Sequence, residues 1–260
     1  MFKFIKHKIE QNCRSFFISG KTLNMKQMLF LKKWAVAALF LSAFAACKNN
    51  DDAMEPAKAK VMVVHASPDA PGVDLYVDNS KVNSAALMYP SNTGYLNVNA
   101  GDHNIKVNPT GTTTSVIDAN VNFASNKAYS VFAYDTVSKI KALMVQDDLT
   151  MPASGKAHIR FMHLSPNAPA VTVGIVDGST FTPVFSNRSF ETQETATANQ
   201  AFTPVDAGTY TFGVQLAATN TTVLTIPGVT LQAGKIYTVF ARGLAGSTTA
   251  PLGAEVIVHN

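Results

Sequence analysis

Beyond residue 59 the chain alternates short apolar runs with polar turn clusters, a pattern of strands. Val73, Leu75 and Val77 alternate with Asp74, Tyr76 and Asp78, which predicts a half-buried strand with its apolar face inward. Turn signals at Asp78-Asn79-Ser80, Ala100-Gly101-Asp102, Asp177-Gly178 and Ala207-Gly208 fall at the spacing of an antiparallel sandwich. No stretch after Cys47 carries a helical period.

The pattern occurs twice. The segment from Val61 to Val73, with His65-Ala66-Ser67-Pro68-Asp69-Ala70-Pro71 at its centre, returns 98 residues later from Ile159 to Val171 as His163-Leu164-Ser165-Pro166-Asn167-Ala168-Pro169. Val98-Asn99-Ala100-Gly101 matches Val205-Asp206-Ala207-Gly208 at an offset of 107, and Lys127-Ala128-Tyr129 matches Lys235-Ile236-Tyr237 at 108. A whole domain is therefore duplicated in tandem. The second copy carries about ten extra residues, placed at Glu191–Gln200, where a surface loop absorbs length at little entropic cost. The expected organisation is a repeat over 59–148, a linker over 149–156 and a second repeat over 157–260. The fold class is all-β, with two tandem immunoglobulin-like or transthyretin-like antiparallel β-sandwiches.

The N-terminal region reads differently. Lys26, Lys32 and Lys33 precede the apolar run Trp34–Ala46, which matches the charged and apolar regions of a secretory signal over 25–46. Its thirteen residues fall short of the about 20 that span a bilayer. Ala45-Ala46-Cys47 resembles a bacterial lipobox, with Phe44 where Leu is usual, so Cys47 is the expected lipid-attachment site. Residues 47–58 are polar and aperiodic, a flexible tether. Within it, Asp51-Asp52 resembles the signal that sends Bacteroidetes-type lipoproteins to the cell surface. Residues 1–24 fit either a start assigned upstream of Met25 or an extended leader.

Charge and cysteine content narrow the function classes. The formal charge is +4, yet eight of 21 Lys and Arg precede Cys47, against the single acid Glu10. The remainder is slightly acidic, which argues against a nucleic-acid partner. No cysteine follows Cys47, so an exported chain has neither a disulfide framework nor thiol chemistry there.

The opening His65-Ala66-Ser67-Pro68-Asp69-Ala70-Pro71, continuing through Val73-Asp74-Leu75-Tyr76-Val77-Asp78, resembles a bacterial family known as domain of unknown function 4397. The second copy keeps His163, Ser165, Pro166, Ala168, Pro169 and Val171, but has Asn167, Thr172 and Gly174 where Asp, Asp and Tyr are expected. The resemblance implies a secreted or surface-attached β-sandwich, often in tandem. It brings no catalytic residues.

Candidate chemistry centres on the motif. His65 and His163 end strands that run into a double-proline turn. Each is expected to be partly buried and to bond the turn, whose prolines Pro68, Pro71, Pro166 and Pro169 lack backbone donors. A metal or catalytic pairing of His65 with Asp69 or Asp74 is the sharper alternative; the second copy keeps the histidine but loses both acids. Ser67 and Ser165 lie in no nucleophile elbow, and the other histidines lack zinc-site spacing. Tyr129 and Tyr237 recur at equivalent positions, which points to a structural role of the tyrosine-corner type. Asp74, Tyr76 and Asp78 share one outward strand face, a possible calcium or glycan site, and Tyr89, Tyr95 and Tyr134 add aromatic candidates.

The expectation is a non-enzymatic outer-membrane lipoprotein, membrane-anchored at Cys47 and displayed at the cell surface, without cofactor or metal. It binds a glycan or an envelope or host protein in adhesion. The alternative is a structural or assembly component of an outer-membrane complex. Binding of a glycan predicts an exposed aromatic patch in one domain; assembly predicts an apolar patch or an unprotected strand edge.

Overall fold

A computed structural model describes residues 56–260; the signal, lipidation and tether assignments lie outside the described residues. Among the described residues sixteen strands build four sheets of four. The first eight are β1 (Lys58–His65), β2 (Val73–Val77), β3 (Ser80–Lys81), β4 (Asn92–Asn99), β5 (Gly101–Pro109), β6 (Ile117–Phe123), β7 (Ala128–Tyr134) and β8 (Lys141–Asp147). The second eight are β9 (Lys156–His163), β10 (Val171–Asp177), β11 (Thr180–Arg188), β12 (Thr203–Asp206), β13 (Gly208–Leu216), β14 (Thr222–Leu231), β15 (Ile236–Arg242) and β16 (Gly253–Val258).

The two sets have one topology. The first forms sheets ordered β4-β1-β7-β8 and β3-β2-β5-β6; the second forms β12-β9-β15-β16 and β11-β10-β13-β14. All pairings are antiparallel except β1 with β7 and β9 with β15, which run parallel at the centre of their sheets. The sandwich is thus antiparallel-rich, with one parallel pair per repeat. Against expectation, helix occurs too: α1 (Gln193–Ala198) and a single 3-10 turn at Val137–Lys139. Helix α1 lies inside the predicted insertion and is capped by Thr192. Six residues are too few to show a period.

Strand β1 explains how the sheets stack. Val61 and Val63 face β2, β5 and β7 side chains of their own sandwich, including Leu75 and Val107. Met62 and Val64 face the other way, into a core shared with Phe132, Leu143 and Val145 of the first repeat and Met162, Leu164, Phe240 and Ile257 of the second. The inner sheets are therefore apolar on both faces, and the repeats form four layers with a common core. Strand β9 divides likewise, Ile159 and Phe161 packing inward on Val173 and Phe185. The continuous apolar run Val61-Met62-Val63-Val64 is the signature of a strand buried on both sides.

The insertion closes this arrangement. The Gln193 side-chain amide accepts from Met144 N–H (2.9 Å) and donates to Met144 C=O (2.7 Å), acting as one residue of an added strand on the free edge of β8. Gln200 Oε1 accepts from Gln146 N–H at 2.9 Å. Extra residues in the second copy thus cover an edge strand of the first.

Candidate functional site

The motif histidines are wholly buried. His65 Nε2 lies 2.9 Å from the Pro71 carbonyl and His163 Nε2 lies 3.1 Å from that of Pro169, so each ring donates across its turn. Burial holds both imidazoles below their usual pKa. The residue between the prolines pins the turn to the loop after the central strand. Asp69 Oδ1 accepts from Val137 N–H at 2.8 Å. Asn167 accepts from Ala245 N–H at 2.8 Å and donates to Ala245 C=O at 3.2 Å. Exchange of Asp for Asn preserves that link. Ser165 Oγ donates to the Gly243 carbonyl at 2.7 Å; Ser67 is equally buried, but its hydroxyl has no such partner.

Tyr129 and Tyr237 also act in parallel. Their phenolic oxygens accept from the N–H groups of Ala124 (3.2 Å) and Gln232 (3.1 Å), each five residues upstream.

The proposed face of Asp74, Tyr76 and Asp78 is corrected by the structure. Asp74 is buried and ion-paired with Lys81 Nζ at 2.8 Å, which holds its carboxyl below the usual range. Asp78 stands past the end of β2, in a two-residue turn where it and Asn79 both have positive φ, as a primed hairpin turn requires. It bonds His103 Nδ1 at 2.7 Å and Asn104 N–H at 3.0 Å. Both carboxylates are thus engaged by partners within the repeat. In the second copy Gly174 stands where Tyr76 does because a β-carbon there would collide with the Thr182 carbonyl and the Phe181 ring.

The unpaired tyrosines are structural as well. Tyr134 donates to the Glu191 carbonyl at 3.1 Å, and the Tyr89 ring stands edge-on to His65. Tyr95 belongs to a buried ring of hydrogen bonds between the repeats. Asp147 accepts from Arg160 Nη2 (2.8 Å), Ser130 Oγ (2.8 Å) and Tyr95 Oη (2.7 Å). Arg160 Nη2 also donates to Thr238 Oγ1 (2.8 Å). His259 closes the circuit, with Nε2 at 2.7 Å from Thr238 Oγ1 and Nδ1 at 2.7 Å from Tyr95 Oη.

The donor order is self-consistent only for one protonation state. Tyr95 donates to Asp147, so it accepts from His259 Nδ1–H; Thr238 Oγ1 accepts from both Nε (3.2 Å) and Nη2 of Arg160, which uses its two lone pairs, so its proton goes to the Nε2 lone pair. His259 is thereby assigned neutral, and burial pulls its pKa down to about 4. Sequence reasoning missed this network. Its signal was Arg160, a charge standing where the first copy has Met62, between the apolar Ile159 and Phe161.

Two surface features remain. A polar cleft of about 740 Å³ is lined in part by Lys60, Asn97, Asn126, Lys127 and Gln146. On the second repeat, the flank between β14 and β16 stands open. Apolar cavities of about 400 and 160 Å³ share Phe161, Val214 and Ala254 in their walls. The rim exposes Val223 (53%), Leu252 (51%), Val256 (51%) and Val258 (52%), with Leu224 beside them. No exposed large apolar residue among the described residues is aromatic.

A family model for a domain of unknown function (DUF4397) matches residues 59–174. No curated protein sequence matches the chain. Among solved structures, the chain is similar to a carbohydrate-binding module of family CBM26 from Eubacterium rectale in complex with maltoheptaose. That pair has 12% identity and a TM-score of 0.25, covering 76% of this chain and 96% of that one. A candidate cell adhesion protein from Bacteroides fragilis aligns at 10% identity and TM-score 0.20, covering 78% and 97%. A candidate adhesin from Bacteroides ovatus aligns at 10% and 0.19, covering 82% and 96%. Similarities this distant say nothing of a ligand.

Proposed function

We propose that the chain, whose residues 59–174 match the model of the domain of unknown function family DUF4397, is a non-catalytic envelope lipoprotein that binds a protein partner through its second repeat. The observation that carries the reading is the open flank between β14 and β16, where exposed valines and leucines rim an apolar cleft. Contiguous exposed apolar surface marks interaction sites in soluble domains.

The binding role is non-catalytic in this reading because both motif histidines are spent on their own turns and the third buried one on the inter-repeat ring. Anchoring at Cys47 and display at the outer face of the outer membrane complete the proposal. A glycan is the second reading, favoured by the cleft whose ammonium, amide and carboxylate groups, Asp148 among them, suit a hydroxylated sugar.

A binding screen of the purified chain against glycans, matrix proteins and solubilised envelope proteins tests the choice. The expected result is saturable protein binding that falls at least about tenfold in Leu224→Asp, as loss of about 1.4 kcal/mol at a desolvated contact requires. Saturable glycan binding that Leu224→Asp leaves intact, without any protein hit, overturns it.

A further inference from the structure

We propose that the free edge of β16 and the apolar cleft beside it form the contact between two copies of this chain, paired antiparallel about a two-fold axis at Val256. The inference rests on the protein-binding reading and names its partner.

The molecule contains its own control. The N–H groups of Met144 and Gln146 face away from β7, and Gln193 and Gln200 of the insertion satisfy them. Val256 and Val258 occupy the matching positions of β16, opposite Val239 and Tyr237, as Met144 and Gln146 stand opposite Val131 and Tyr129. The first repeat lacks the ten-residue insertion, so no reciprocal cap reaches β16. Among the described residues nothing else pairs with that edge. An uncovered edge with apolar side chains is a template for another strand.

Only one of the two edges on this flank suits strand addition. Strand β14 carries a proline, Pro227, and shifts register against β13 around Pro227-Gly228, whereas β16 runs six residues in unbroken register with β15 and contains no proline. Charge favours a like partner. Glu255, the one charge on β16, is ion-paired with Arg242 Nε at 3.0 Å. In the two-fold register Ala254 faces Val258 of the second copy and Glu255 faces Ile257, so like charges are never directly opposed, and each Glu255 keeps its own Arg242 as countercharge. Residues 213–232 and 243–254 carry no charge at all. Such a face repels no copy of itself.

Extent points the same way. The exposed apolar residues belong to both layers of the sandwich, Val223 and Leu224 on β14 and Val256 and Val258 on β16. A lone added strand covers one layer; a second sandwich covers both. Ten residues of β14 and six of β16, with the loop ending at Leu252, approach the about 20–30 residues that a standard interface uses per side.

Cysteine pairing in the full chain, expressed in cells and mildly oxidised, tests the register. Facing residues of a hydrogen-bonded antiparallel pair have Cα atoms about 5.5 Å apart, within disulfide reach. Val256→Cys is expected to give a reducible band at twice the chain mass. Ala254→Cys alone gives none, but gives one when co-expressed with Val258→Cys. The parent chain, with only Cys13 and Cys47, is the blank. A Val256→Cys chain that stays monomeric while matching the parent in protease resistance overturns the proposal. A Val256→Cys link to a different protein overturns it too, yet leaves the protein-binding reading standing. If Val256→Cys loses protease resistance, sedimentation of the parent against Val258→Lys decides. Self-association weakened about tenfold or more by the lysine supports the contact, and a parent that never associates refutes it.

Discussion

Arg160 shows what a single buried charge does here. It is fully enclosed, its guanidinium ion-paired with Asp147 across the repeat boundary and stacked on Phe202 at 4.5 Å. Arg160→Met leaves the Asp147 carboxylate buried without its countercharge, and is expected to destabilise the fold by about 3–5 kcal/mol in urea unfolding. A loss near zero would mean the ion pair is dispensable. His259 adds a pH dependence with a definite sign. It is neutral in the fold with a pKa of about 4, against 6.5 for the free side chain, so the unfolded chain takes up its proton first. The contribution is fully present above pH 6.5 and is lost as pH falls toward 4. It amounts to roughly 3 kcal/mol, and lowered pKa values at His65 and His163 act in the same direction. Unfolding midpoints at pH 7.5 and 5 should differ accordingly, with much of the difference abolished in His259→Asn; a flat profile would contradict the assignment. For the motif, His65→Ala and His163→Ala should each cost about 1–3 kcal/mol, since each orphans a turn carbonyl. The histidines were readable from the sequence because they recur with their prolines. The ring was not, since its six members are scattered over both repeats and only Arg160 looks out of place.

At the scale of elements, the strands were legible where one face is buried and ambiguous where both are. Val73-Asp74-Leu75-Tyr76-Val77 alternates and was placed correctly, although its polar positions then looked more exposed than Asp74 is. In β1 and β9 the apolar run declares burial on two sides without naming the second partner. The insertion was located by the change of offset from 98 to 107. Its work was hidden because glutamine side chains, not backbone, supply the pairing. Gln193→Ala removes both bonds to Met144. Hydrogen exchange at the Met144 amide should then quicken by about tenfold, the loss of roughly one net hydrogen bond. Unchanged exchange would show that α1 covers β8 by packing alone.

As a whole molecule, the chain departs from two independent beads on a tether. Met62, Val64 and Phe132 share a core with Met162, Leu164 and Phe240, so neither repeat completes its burial alone. A single cooperative thermal transition is expected for residues 56–260, and two separated transitions would contradict the shared core. The tandem duplication was evident from sequence, but the packing of one copy on the other has no local signature. The asymmetry that matters for function follows from that packing. One copy's insertion caps the other copy's edge, the favour is not returned, and the flank of β14 and β16 stays open. No helix among the described residues is long and apolar enough to cross a membrane. The membrane attachment proposed at Cys47 predicts separately that Cys47→Ser moves the protein from the membrane to the soluble fraction.

Hydrogen exchange at the Val256 and Val258 amides tests the open flank most directly, comparing the chain at high concentration, where the proposed assembly forms, with the same chain diluted. Exchange at least about tenfold slower in the assembly, returning to the fast rate on dilution, is the predicted result. Equal, fast exchange in both states would mean that nothing docks on β16, and would contradict the account.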